Sequence, residues 1–70
     1  MDTGLQIKIL REHKNISRGT MADLLNMSLN TYIKIESGDR IPNLKELEKI
    51  SEKLEVDPTL FFKKDGIFIS

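Results

Sequence analysis

The feature that most constrains this sequence is a pair of short helical segments separated by only a few residues. Apolar residues at helical spacing predict one helix over about Ser17–Leu25 and a second over about Ser28–Ser37. A serine begins each segment, and its hydroxyl can accept a hydrogen bond from a first-turn amide. Gly38 follows the second segment, at the position where a left-handed residue often ends a helix. The two helices therefore have to pack directly against each other.

Two short helices joined this closely form a helix-turn-helix when the joint is tight. A tight joint needs a small residue where the helices cross, and Ala22 supplies it. It also needs a turn residue that accepts a left-handed backbone, and Asn26 is one of the few non-glycine types that do so. Apolar residues must then fix the angle between the helices, and the candidates are Met21, Leu25, Met27, Tyr32 and Ile35.

The remaining residues predict three further helical segments and a short strand. They lie at about Thr3–Lys14, Leu44–Leu54 and Thr59–Lys63, and the apolar run at residues 67–69 is the candidate strand. We therefore predict an all-α fold, a compact five-helix bundle with a helix-turn-helix at about 17–37 and a short C-terminal strand. Residues 1–70 are expected to form one domain, with a core at about 5–63 and a tail at 64–70.

Composition excludes several classes of protein. The 70 residues are 39% hydrophobic, enough for one small core, and no apolar run is long enough for a membrane span or signal peptide. We therefore expect a cytoplasmic protein that does not bind membranes. Eleven Lys and Arg residues balance eleven Asp and Glu residues, whereas nucleic-acid-binding domains usually carry a basic excess. Zero net charge argues mildly against nucleic acid unless the charges are distributed asymmetrically in space.

Nothing in the sequence indicates catalysis, a metal or a cofactor. There is no cysteine, which excludes disulfides, thiolate zinc sites and a cysteine nucleophile. His13 is the single histidine, and the four glycines are isolated instead of forming a phosphate-binding loop. We therefore expect a non-enzymatic chain with no catalytic residue, no metal, no cofactor and no evident site for a small-molecule effector.

Residues 16–38 resemble the helix-turn-helix of the Cro/repressor (XRE) family, and the resemblance extends over roughly residues 5–62. Its most specific parts are Ile35-Glu36-x-Gly38 and Ser17-x-x-x-Met21-Ala22. The resemblance implies a five-helix bundle of the phage-repressor type that binds operator DNA, usually as a dimer.

In this fold the N-terminal end of the third helix enters the major groove. The resemblance then places five residues against the bases: Ser28, Leu29, Asn30, Ile33 and Lys34. Asn30 can pair with adenine, Lys34 can donate to guanine, and Leu29 can contact a thymine methyl. The alternatives are that Asn30 is only a polar residue of the first helical turn and that Lys34 is an ordinary solvated residue. Leu29 and Ile33, four residues apart, form one small exposed apolar patch, which either reads thymine methyls or contacts a protein partner.

Phosphate contacts are expected around the third helix from Ser17, Arg18, Arg40 and Asn43. Arg18 lies at the start of the second helix, and helix N-termini attract anions. Arg40 and Asn43 flank the loop into the fourth helix, where Asn43 can also act as a cap with Glu46. The alternative for these residues is ordinary surface solubility.

The resemblance pairs Arg11 with Glu36 as a structural ion pair between the first and third helices. A cationic partner would also explain a carboxylate near the C-terminal end of a helix, where the dipole disfavours it. With Arg11 neutralised, the DNA-facing cations are Arg18, Lys34 and Arg40, with Lys8 and Lys14 as further candidates.

We expect a homodimer, because one such domain reads only a few base pairs, and the predicted interface residues are Leu60, Ile67, Phe68 and Ile69. The resemblance places Leu60 at a position that the family usually makes polar, and residues 67–69 form an apolar run outside the expected bundle. The alternative is that the tail only closes the core. The predicted function is a repressor or autoregulator that binds double-stranded DNA at a pseudo-palindromic operator. The alternative function is a protein-interaction module, such as an antitoxin or anti-repressor partner.

Overall fold

The computed structural model of the chain describes residues 3–61, which form four α-helices and one short 3₁₀ helix. No strand occurs within these residues, and the strand predicted at 67–69 lies outside them. The helix boundaries fall within one residue of the segments predicted for the first four helices. These helices are α1 (Thr3–His13), α2 (Arg18–Leu24), α3 (Leu29–Ser37) and α4 (Leu44–Leu54), and the 3₁₀ helix is Pro58–Phe61.

The fifth predicted segment forms a single 3₁₀ turn at Pro58–Phe61 and not an α-helix within the described residues. Asp57 precedes this turn, and its Oδ1 accepts a hydrogen bond from the Thr59 amide at 2.9 Å. The Leu60 amide then donates to the Asp57 carbonyl at 2.9 Å, an i to i+3 bond that defines the tighter helix.

Serine caps begin both helices of the helix-turn-helix. Ser17 Oγ accepts from the Thr20 amide at 3.0 Å, and Ser28 Oγ accepts from the Thr31 amide at 3.1 Å. Both serines have extended backbone angles, which separate each helix from the residues before it. These two hydroxyls cap α2 and α3 at the serines where the sequence predicts that the helices begin.

Left-handed residues follow all four α-helices. Asn15 and Asn26 have φ of 59°, and Gly38 has φ of 91°. Asn26 therefore provides the turn between α2 and α3, and Gly38 ends α3, as the sequence predicts. Glu55 also has a positive φ, of 62°, although glutamate has no particular tolerance for this conformation.

The core forms where α3 packs against both α1 and α2, and where α4 packs against α1 and the 3₁₀ helix. Four of the five residues predicted to fix the joint are buried, and Met27 is half-buried against them. Ala22 is also buried, so a small residue does occupy the joint. The buried apolar residues are Ile7, Met21, Ala22, Leu25, Tyr32, Ile35, Leu47, Ile50, Leu54 and Phe61.

Gly4 allows α1 to approach the end of α3 very closely. A Cβ atom at this position would lie 2.3 Å from the carbonyl oxygen of Ile35 and 2.7 Å from that of Glu36. These are backbone atoms, so they cannot move aside as a flexible side chain could. The close approach sets the position of α3 relative to α1.

Candidate nucleic-acid interface

The N-terminal half of α3 presents the predicted base-reading residues at the surface. Ser28, Asn30 and Lys34 are exposed, Leu29 is 47% exposed, and Ile33 is half-buried. The hydroxyl of Ser28 is already used in capping, since it also donates to Thr31 Oγ1 at 2.9 Å. The side chains of Leu29, Asn30 and Lys34 are therefore the ones most accessible to a ligand on this face.

The start of α2 lies beside this face across an open groove. Ser17, Arg18 and Leu29 all line the groove, which has a volume of about 620 Å³. Ser17 Oγ is 2.9 Å from Thr20 Oγ1 in addition to its capping bond, whereas the Arg18 side chain is exposed and forms no ion pair within residues 3–61. The structure thus brings two predicted phosphate-binding residues next to a predicted base-reading residue.

Arg40 and Asn43 are held in the loop before α4 by the same carboxylate. Arg40 Nη1 and Nη2 donate to Glu46 Oε1 and Oε2 at 3.0 and 2.9 Å. The Asn43 amide donates to Glu46 Oε1 at 3.0 Å, and Asn43 Oδ1 accepts from the Glu46 amide at 2.8 Å, which completes a capping box. The hydrogen bond from Arg40 lowers the pKa of Glu46, and the same bond raises the pKa of Arg40. The predicted phosphate contact from Arg40 would therefore compete with an internal ion pair.

Arg11 and Glu36 form a bidentate ion pair inside the molecule. Arg11 Nε donates to Glu36 Oε2 at 2.6 Å and Arg11 Nη2 donates to Glu36 Oε1 at 3.3 Å. Their side chains are 9% and 6% exposed. Arg11 Nη1 also donates to the carbonyl oxygen of Ile16 at 2.7 Å, which ties the α1–α2 connection to the pair. The hydrogen bond to Glu36 raises the pKa of Arg11.

Tyr32 completes this cluster, a contact that the sequence analysis did not predict. Its hydroxyl donates to Glu36 Oε2 at 2.6 Å. Burial, and then the hydrogen bond to Glu36, raise the pKa of Tyr32 above its usual range. The spacing of four residues between Tyr32 and Glu36 places both on one side of α3 and could have indicated the contact. α3 is therefore fixed to α1 by charged and hydroxyl groups as well as by apolar packing.

Lys14, a further predicted DNA-facing cation, is paired with a carboxylate. Its Nζ is 2.6 Å from Glu55 Oε1, and this hydrogen bond lowers the pKa of Glu55. In contrast, Lys8, Arg18 and Lys34 form no ion pair within the described residues. Of the cations predicted to face DNA, these three are the ones that the described residues leave free for an external anion.

The predicted dimer interface lies largely outside the described residues. Ile67, Phe68 and Ile69 are all beyond residue 61. Leu60 is half-buried and packs against the core, so part of its side chain already has an internal role. The sequence did not predict two exposed apolar residues that follow the C-terminal end of α3. Ile41 in the α3–α4 connection is 85% exposed, and Leu44, the first residue of α4, is 55% exposed.

Comparisons with known proteins agree on the motif. Residues 7–61 match a family model described as helix-turn-helix. A curated relative, the cryptic phage CTXphi transcriptional repressor RstR of Vibrio cholerae serotype O1, is 39% identical over 46 residues. That alignment covers 66% of this chain and 41% of the relative, so the match spans less than half of the relative's length. No solved structure matches the chain. Within residues 3–61, no helix is long and apolar enough to cross a membrane.

Proposed function

The chain belongs to the helix-turn-helix (XRE) family, and from this premise we propose that it is a sequence-specific, DNA-binding transcriptional regulator. Membership of this family agrees with the expectation that the chain is not an enzyme. The name of the curated relative, a phage transcriptional repressor, supports repression as the direction of regulation. A homodimer on a pseudo-palindromic operator would repress by occupancy, because it would exclude polymerase.

The observation that carries the proposal is the combination of an exposed α3 face with a rigidly anchored α3. Asn30 and Lys34 are exposed on one side of the helix and form no ion pair within the described residues. On the other side, Tyr32 and Arg11 hold Glu36. A helix that must read base edges needs this arrangement, since hydrogen bonds to bases require a fixed position in the groove.

We assign two kinds of contact to this face. Leu29, Asn30, Ile33 and Lys34 are proposed to read bases in the major groove, with Ser28 beside them, and Ser17 and Arg18 are proposed to bind phosphates. Arg40 and Asn43 remain candidates for phosphate contact, although both already contact Glu46. Base contacts specify a sequence, whereas phosphate contacts fix the position of the protein without discriminating between sequences.

Selection of bound duplexes from a random-sequence pool, followed by two substitutions, tests the proposal. Lys34→Ala should relax the sequence preference at one position in each half-site. Arg18→Ala should weaken binding to all sequences by a similar factor, because phosphate contacts carry no sequence information. Failure to enrich any sequence would contradict sequence-specific binding, and identical effects of both substitutions would contradict the assignment of residues.

The alternative function is a protein-interaction module, and the exposure of Leu29 beside Ile33 is the observation that favours it. In that case the two residues would contact an apolar surface of a partner protein. Salt dependence separates the two functions. A protein that binds DNA phosphates releases counterions from the DNA, so its affinity falls steeply as the salt concentration rises, whereas apolar contacts do not weaken in this way.

A further inference from the structure

We propose that the groove between α1 and the start of the helix-turn-helix holds a stretch of the DNA phosphate backbone, with Lys8 as an additional phosphate-binding residue. This inference rests on the DNA-binding function proposed above and names a further contact within it. Lys8 lies on α1, outside the helix-turn-helix, but it lines the same groove as Ser17, Arg18 and Leu29. A backbone strand leaving the α3 face at Leu29 would therefore meet cations from two different helices.

The ion pairs of the described residues distinguish Lys8 from two other candidate cations, Lys14 and Arg40. Lys14 is bound to Glu55 at 2.6 Å, and Arg40 is bound to Glu46 at 2.9 Å. Lys8 is exposed and forms no ion pair within residues 3–61. An unpaired ammonium can bind phosphate without first giving up an internal partner, so its contact is not offset by a lost ion pair.

The charges that line the groove leave it positive. Arg11 lines it as well, but its guanidinium is committed to Glu36. Glu12 is the acidic residue among the lining residues, and its Oε2 lies 3.8 Å from Arg11 Nη2. With Arg11 and Glu36 neutralising each other, Lys8 and Arg18 face a single carboxylate. Glu12 should weaken phosphate binding in this groove but not prevent it.

Two substitutions that change the net charge equally provide a matched test. Lys8→Gln removes one positive charge from α1, and Lys14→Gln removes one from the residue that follows the end of α1. Affinity for a mixed-sequence duplex would be measured over a range of salt concentrations. For Lys8→Gln, the slope of log affinity against log salt should decrease by about 0.9 for each bound subunit. For Lys14→Gln, the slope should stay that of the unchanged protein, because Lys14 is already paired.

Two further variants test the role of charge in this groove. Lys8→Arg should restore the original slope, because a guanidinium also binds phosphate. Glu12→Gln should raise the affinity several-fold and leave the number of phosphate contacts unchanged. Circular dichroism of each variant checks that the helices remain folded.

The outcomes separate this inference from the proposed function. If the unchanged protein binds DNA with a salt-dependent affinity and the slopes of Lys8→Gln and Lys14→Gln are equal, the role of Lys8 is refuted and the DNA-binding function stands. If the unchanged protein shows no salt-dependent affinity for any duplex, both are refuted.

Discussion

Glu36 joins three parts of the chain through one buried carboxylate. It accepts hydrogen bonds from Arg11 on α1 and from Tyr32 on its own helix. Arg11 in turn donates to the Ile16 carbonyl, just before α2 begins. Removing one of these three side chains leaves the others buried without a full set of hydrogen-bond partners. The resulting loss of folding stability is usually larger than the net stabilisation that the intact interaction provides. The cluster should therefore control both the stability of the fold and the orientation of α3.

Tyr32→Phe should reduce the free energy of unfolding at neutral pH. It should also remove the part of the loss of stability at alkaline pH that arises from ionisation of Tyr32. A hydrogen bond to a charged group typically contributes about 1.5–3 kcal/mol, which is the reduction expected at neutral pH. The pKa of Tyr32 is raised in the folded state. The unfolded tyrosine ionises near pH 10. This contribution to stability is therefore fully present below about pH 10 and is lost as the pH rises further, by about 1.4 kcal/mol per pH unit.

Urea unfolding between neutral and strongly alkaline pH, followed by circular dichroism, measures this effect. Lysine side chains also titrate in this range, so the informative quantity is the difference between the unchanged protein and Tyr32→Phe. That difference should shrink as the pH rises above about 10. A constant difference would show that Tyr32 ionises normally and is not held by Glu36.

Arg40→Ala should affect stability more clearly than it affects the salt dependence of DNA binding. Arg40 binds both oxygens of Glu46, and this carboxylate also completes the cap of α4. Arg40 is partly exposed, so the loss of stability should be small, as is usual for surface ion pairs. If Arg40 instead leaves Glu46 to bind phosphate, Arg40→Ala will lower the salt slope by about 0.9 per subunit, and the internal role will be contradicted.

The helices were largely predictable from sequence because local residues determine where they begin and end. Ser17 and Ser28 cap α2 and α3, and Asn26 and Gly38 take the left-handed conformations predicted for them. Glu55 was not predictable as a left-handed residue, since no property of glutamate indicates that conformation.

Long-range pairings were less accessible to sequence reasoning. The bond between Lys14 and Glu55 joins residues 41 positions apart, and only the packing of α1 near α4 brings them together. The bond between Arg40 and Glu46 crosses a loop, where helical spacing gives no guide. Apart from the pair of Arg11 and Glu36, which the resemblance implied, the sequence could not indicate which cations are paired, and pairing determines whether a cation is available to an external anion.

Gly4→Ala should destabilise the protein although alanine favours helices. The added Cβ would lie 2.3 Å from the Ile35 carbonyl oxygen, so α1 and α3 would have to separate. Overpacking of this kind typically costs about 1–3 kcal/mol. Gly19→Ala is the matched control, since its Cβ would approach only Ser17 Oγ, at 3.9 Å. This substitution should stabilise the protein by about 0.5–1 kcal/mol.

Thermal or urea unfolding of the two alanine variants checks the prediction. Opposite signs are expected, because the same change is made in two helices and only the space around it differs. If Gly4→Ala proves as stable as Gly19→Ala, α1 does not lie against the end of α3 as closely as described.

The balance of charge over all 70 residues has a different meaning once the pairs are known. Eleven basic residues face eleven acidic residues. Arg11, Lys14 and Arg40 are each held by a carboxylate, which leaves Lys8, Arg18 and Lys34 near the proposed interface. Zero net charge is therefore compatible with DNA binding, but few cations contribute to it. We expect weak non-specific affinity, so that specific binding depends on two subunits acting together.

The spacing of half-sites in the selected DNA tests this dependence on two subunits. A two-fold dimer places its reading helices about 34 Å apart, so the selected site should contain two inverted half-sites about one helical turn apart. Insertion of about 5 bp between them turns the second half-site to the opposite face of the duplex. Affinity should then fall to that of a duplex with one half-site, which fluorescence anisotropy titration can measure.

If residues 67–69 join the subunits, Phe68→Ser should lower the affinity for the intact operator to that of a duplex with one half-site. The same substitution should leave the affinity for a single half-site unchanged. Sedimentation velocity of the free protein would show the accompanying loss of dimer. Equal affinity of the unchanged protein for the intact site and for the site with the insertion would mean that each subunit binds alone. In that case the few unpaired cations around α3 would have to account for specific binding within one half-site.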